Sequence, residues 1–216
     1  ANPVPNLNML LHMNPKRPLN LILAIATVVM TLMAMTPLMA QIQTAGELFV
    51  DVDATSMPSG TLTSIPNNGT LGGVFEAKGG GVTVPFIESA GGTPSIRFDG
   101  SDFMQLAESV GGPLIVPPAG LVGLDATRTI EVWALNPTIA GEETMVSWGH
   151  RGGPDGSNLS FNYGDNAFFG AVGHWGGADI GWNNDGGAPA GNTWHHLVYV
   201  YDGTTTRVYA DGVLAN

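Results

Sequence analysis

The sequence predicts an all-β fold, a two-sheet antiparallel β-sandwich, and three observations predict it. Beyond residue 40 the apolar residues recur in short alternating runs, and no window longer than about 12 residues keeps the spacing of three and four that a helix face needs. Clusters of Gly, Asp and Asn separate the runs, and the 31 Gly in 216 residues are about twice the ordinary usage of roughly 7%. Lys and Arg number only 7, which favours tight turns between strands over solvated helices.

In chain order the strand-like runs are 48–54, 73–77, 95–98, 104–106, 128–134, 143–148, 158–163, 167–174, 179–182, 194–201 and 206–209. So many short strands imply two packed sheets. The clearest alternation places Trp194, His196, Val198 and Val200 on one face and His195, Leu197, Tyr199 and Tyr201 on the other. Both faces are substantially apolar, as a covered central strand requires. In 128–134, Ile130, Val132 and Ala134 oppose Thr129, Glu131 and Trp133, so one of Glu131 and Trp133's neighbours must face a groove or water rather than core, and a lone Glu there draws attention.

The N-terminal region reads as a leader. Lys16 and Arg17 precede the almost wholly apolar run 19–35, Pro37 stops it, and Ala40 offers a small-residue exit. The run is short for a membrane span of about 20 residues and has the grammar of a helical signal peptide; an uncleaved anchor is the alternative, favoured by Leu38 three residues before the cut. The expected organisation is a non-native extension at 1–12, a signal peptide at 13–40 starting from Met13, and one domain at 41–216. Removing the leader takes the formal net charge from −11 to −13. At the other end, 206–210 alternates, Asp211-Gly212 is a two-residue hairpin signal, and 213–216 is a stub. A returning strand is expected to follow, in a longer polypeptide with further domains.

Composition narrows the function. With 7 basic against 18 acidic residues, the surface repels nucleic acid and anionic lipid. The absence of Cys removes disulfides, thiolate zinc sites and cysteine nucleophiles. No Gly-rich stretch has the Lys-Ser continuation of a phosphate loop.

Four motifs in order then carry a family resemblance: Arg97-Phe98-Asp99-Gly100-Ser101-Asp102; Arg128-Thr129-Ile130-Glu131-Val132-Trp133; Trp194 through Gly203; and Val208-Tyr209-Ala210-Asp211-Gly212-Val213. Their order and spacing resemble the laminin-G-like, concanavalin A-like jelly-roll superfamily. The resemblance implies a jelly-roll β-sandwich placed outside the cytoplasm, secreted or at the cell surface. It also implies use as a binding or adhesion module in multidomain proteins, often with carbohydrate or calcium. The family's closing strands, which would follow Val213, are missing from the pattern, which leaves an edge unpaired.

Candidate sites are weighed against plainer readings. Asp99 and Asp102 offer carboxylates in a tight turn, suited to calcium or to capping the turn itself; Asp155, Asn158 and Asp165 form a weaker oxygen cluster. The stretch 173–187 sets His174, Trp175, Asp179, Trp182, Asn183 and Asn184 among glycines. Exposed indoles there would stack on sugar rings while Asp and Asn meet hydroxyls; alternatively Trp175 and Trp182 cover a sheet face. Glycosidase chemistry needs two carboxylates about 5–9.5 Å apart, and Glu131 has no second acid two or four residues away on its face. Glu142 and Glu143 sit in a turn. His195 and His196 point to opposite faces and cannot chelate one ion. The expectation is a non-catalytic module for a glycan or an extracellular protein, with a ligand-free spacer and, less favoured, a glycoside hydrolase as alternatives.

Overall fold

The computed structural model describes residues 46–78, 83–151, 153–154, 156–174, 179–183 and 186–216. The 1–12 extension, the 13–40 leader, Trp175, Asn184 and Asp155 lie outside the described residues. Val50–Asn216 forms one of two units and carries the fold.

Its strands are β1 (Gly60–Thr61), β2 (Ser64–Pro66), β3 (Val74–Glu76), β4 (Phe86–Ala90), β5 (Thr93–Arg97), β6 (Gln105–Ala107), β7 (Arg128–Leu135), β8 (Thr144–Trp148), β9 (Leu159–Asn162), β10 (Val172–Gly173), β11 (Trp194–Tyr201), β12 (Thr206–Ala210) and β13 (Val213–Leu214). Every pairing between them is antiparallel. They form sheets in the orders β1-β4-β5, β2-β3-β6, β10-β9-β8 and β13-β12-β11-β7. Short 3-10 turns at Ala54–Ser56 and Ala119–Leu121 are the helical elements among the described residues. The chain is therefore all-β, as the sequence predicts.

The main core lies between the four-stranded sheet and the β8–β10 sheet. Period-two alternation turns Leu197 and Tyr199 of β11 and Val208 of β12 inward, against Leu159 and Phe161 of β9 and Val172 of β10. Ile130, Val132 and Ala134 of β7 pack on the same cluster. Each fully buried Leu, Phe or Val among them contributes about 1.5–3 kcal/mol. A second cluster, Leu62, Ile65 and Ile87 with Phe75, Ile96 and Met104, is built from the two N-terminal sheets. Trp194 ties β11 to them, its indole N–H donating to the Ala90 carbonyl at 3.2 Å.

Some expected strands differ. The run at 48–54 pairs with no strand among the described residues. Asp51 instead donates its N–H to Asn67 Oδ1 at 2.8 Å and accepts from the Asn68 N–H at 2.9 Å, so a side chain replaces the ladder. The run at 167–174 is interrupted because Asn166 Oδ1 takes the Phe168 and Phe169 N–H groups, a turn that leaves only β10 extended. Around Ile180 the pairing is a single bridge to Val172. β1, β2, β4 and β13 were not among the predicted runs.

β11 is covered on one side only. Leu197 and Tyr199 are fully buried, whereas His196, Val198 and Val200 on the opposite face are partly exposed. The expectation of two covered faces is corrected to one.

Candidate functional site

The predicted ligand stretch is divided by the fold. Trp182 is 2% exposed and sits 6.0 Å from the Phe161 ring within the main core, so it offers no open platform. His174 is buried as well. Its Nε2 lies 2.8 Å from the Tyr199 hydroxyl, and its N–H donates to Asp179 Oδ1 at 2.6 Å. Asp179 and Asn183 are exposed. Of the residues predicted to meet sugar, the core therefore takes a tryptophan and the histidine, and the surface retains Asp179 and Asn183.

The Asp99–Asp102 turn is held by its own carboxylates. Asp99 Oδ1 accepts the Ser101 N–H at 2.9 Å, Asp102 Oδ2 accepts the Asp99 N–H at 3.1 Å, and Asp102 Oδ1 accepts the Thr83 hydroxyl. Among the described residues no group of three or more acidic or imidazole side chains could hold a metal ion. A calcium ion takes six to eight oxygens. Here two of the four carboxylate oxygens close the turn and a third holds the Thr83 hydroxyl, which is the turn-capping role weighed above.

Behind the sheet face, Arg128 is a buried cation held without a carboxylate among the described residues. Its Nη1 donates to the carbonyls of Leu121, Gly123 and Ala126, and its Nε to the Tyr199 hydroxyl at 3.0 Å. The guanidinium lies 4.8 Å from the Tyr201 ring centre, a cation–π contact. The same Tyr199 hydroxyl shares a hydrogen bond with His174 Nε2, so it links the guanidinium to the imidazole. Burial pushes the Tyr199 hydroxyl up to about 12, against the lowering effect of Arg128. This chain of side chains locks β7, β11 and the 121–126 loop together.

The accessible chemistry lies on the outer face of the same sheet. Alternation along β7 that buries Ile130 and Val132 turns Glu131 and Trp133 outward, and β11 does the same for His196. Register pairs Trp133 with His196 and Glu131 with Val198. The indole and imidazole stack with centroids 5.0 Å apart and planes 28° from parallel. His196 Nε2 donates to Glu131 Oε1 at 2.6 Å. Trp133 remains 66% exposed. Across β11 the Asp211 carboxylate accepts the His196 N–H at 3.0 Å and His195 Nδ1 at 2.7 Å. The His195 hydrogen bond, followed by the His196 N–H, holds Asp211 below the usual carboxylate range.

An exposed indole, an imidazole and a carboxylate thus converge on one surface, an apolar platform edged by hydrogen-bonding groups. The sequence places Glu131 and Trp133 on one face and separates His195 from His196. What it does not give is the register that sets His196 beside Trp133. A recess of about 380 Å³ between the first 3-10 turn and β2, lined by Asp53, Met57 and Leu62 among others, carries less chemistry, since Asp53 is hydrogen-bonded to Thr55.

A jelly-roll sandwich with an open sheet face is a ligand-binding architecture. Residues 109–216, half of the chain, match the family described as the concanavalin A-like lectin/glucanases superfamily, and the chain belongs to that superfamily. Three of the four motifs quoted above fall inside the matched segment; Arg97–Asp102 precedes it. No curated protein and no solved structure matches the chain.

Proposed function

We propose that this chain is a non-catalytic saccharide-binding module that works outside the cytoplasm, with its ligand seated on the outer face of the β7–β11–β12 sheet. The observation that carries this reading is Trp133, which stands two-thirds exposed and stacked on His196. The C–H face of a pyranose packs on such a ring, while Glu131 and His196 meet its hydroxyls. Extracytoplasmic placement follows from the leader read at 13–40, and neighbouring domains of the same polypeptide from the superfamily's modular use. Against catalysis stands the state of the second acid on this edge: both oxygens of Asp211 are engaged by His195 and His196, so Glu131 lacks a free carboxylate partner.

A glycan array probed with the whole chain and with Trp133→Ala tests the proposal. Trp133→Ala is expected to lose about tenfold in affinity, roughly 1.4 kcal/mol, through loss of the apolar platform. Asp179→Ala and Asn183→Ala are expected to leave binding intact. Binding that survives Trp133→Ala and falls with Asp179→Ala would return the site to the 173–187 stretch.

A further inference from the structure

On the reading that Trp133, His196 and Glu131 form the saccharide platform, we infer that the preferred saccharide carries a free amino group and that uronate-type, carboxylate-bearing glycans are excluded. The charges on the outer face carry this. Register lays three rows across the sheet: Trp133 beside His196, Glu131 beside Val198, Tyr209 and Leu214, and Thr129 beside Val200 and Arg207. Arg207 is the guanidinium on this face among the described residues, and it is held 2.6 Å from Asp202. A glycan carboxylate would therefore meet Glu131 and Asp211 with no free cation to receive it, on a chain of formal charge −11.

An ammonium group meets the opposite situation. Glu131 Oε1 is engaged by His196, while among the described residues Oε2 has no protein partner, and the side chain is 53% exposed. Glu131 and Trp133 are two residues apart on one strand, about 6.6 Å along the same face. A sugar ring resting on the indole projects a ring substituent toward that free oxygen. A charged amine there donates a charge-assisted hydrogen bond to the Glu131 carboxylate. An acetamide at the same position donates a neutral hydrogen bond and gains no charge attraction.

The experiment is a calorimetric titration of the whole chain at about pH 6, where an amine is protonated, with three probes: the glucosamine tetramer, the N-acetylglucosamine tetramer and a galacturonic acid tetramer. The glucosamine tetramer is expected to bind about fivefold more tightly than its acetylated form, the effect of one charge pair near 4 Å in water. The galacturonate tetramer is expected not to bind. Glu131→Gln should bring the first two affinities together. Glu108→Gln, which removes an exposed carboxylate outside this face, should leave their ratio unchanged. Equal affinities in the unaltered chain, a ratio that survives Glu131→Gln, or galacturonate binding would overturn the amine preference while leaving the platform in place. Binding of neither amino nor acetylated tetramer, or binding unaffected by Trp133→Ala, would overturn the platform itself.

Discussion

Trp182 and Trp133 both lie in strand-like sequence, yet the fold sets them in opposite environments. Trp182 fills the core beside Phe161, and its indole N–H has no hydrogen-bond partner among the described residues. Trp182→Ala should therefore destabilise the chain by about 3–5 kcal/mol, the usual range for removing a large buried aromatic. Trp182→Phe should be far milder, since it keeps much of the volume and removes the unsatisfied donor. Trp133→Ala, at a largely exposed position, should change stability by about 0.5 kcal/mol or less. Urea denaturation of the three variants checks the order; a Trp133→Ala loss as large as that of Trp182→Ala would mean the outer face is covered in solution. The sequence could not separate these residues, because Gly-rich flanks around Trp182 suit an exposed platform as well as the tight turns that enclose a buried ring. His174 misleads for the same reason: its partner Tyr199 is 25 residues away, and no local pattern announces a buried imidazole.

At the scale of elements, strands with strong alternation and a defined turn were legible, and those stabilised by side chains were not. β11 has the bounds the alternation gave it, and the β12–β13 hairpin turns at Asp211-Gly212 with φ of 52° and 80°, the left-handed pair of a two-residue hairpin. β4 escaped notice although Gly91-Gly92 closes its hairpin to β5 by the same device. The segment at 48–54 failed in the other direction, because alternation states which face is apolar and says nothing of whether a partner strand is present. Glycines separate conformational from steric need. Gly212 has φ of 80° and nothing within 4 Å of a built Cβ, so Gly212→Ala should cost about 1 kcal/mol through backbone strain alone. Gly149 has φ of 79° and a Cβ there would lie 2.1 Å from the Ser157 carbonyl oxygen. Gly149→Ala should cost on the order of 3 kcal/mol or more, since the 149–157 loop must move as well. Thermal melts of the two variants decide it; equal losses would show that the loop yields freely.

For the molecule as a whole, the family motifs were legible because they are strand-and-turn patterns that the sandwich requires, while the binding face depends on how two of those strands align. The same architecture distributes charge in a way that sets the pH response. The Arg207 hydrogen bond, reinforced by the Thr205 and Thr204 N–H groups, holds Asp202 down to about 2. The Gly111 N–H does the same in direction for Glu76, and Thr55 for Asp53. Asp211 is lowered by His195. For each, the unfolded chain binds protons at a higher pH than the folded chain does, so stability is present above the unfolded value and is lost as pH falls through the folded one. Stability should therefore fall between about pH 4.5 and pH 2. On the alkaline side the sign reverses: Tyr199, raised to about 12 by burial, stays protonated in the fold while the unfolded chain ionises from about pH 10, so stability falls again across that interval. Urea midpoints followed from pH 2 to pH 12 should trace a plateau bounded by these two slopes. Tyr199→Phe should reduce the alkaline slope, leaving the part due to Tyr163, which burial also raises, and should leave the acid slope, because Tyr199 is not among the groups that lower those carboxylates. An alkaline slope unchanged in Tyr199→Phe would mean that the buried Arg128–Tyr199–His174 chain does not hold the two sheets in the way the geometry describes.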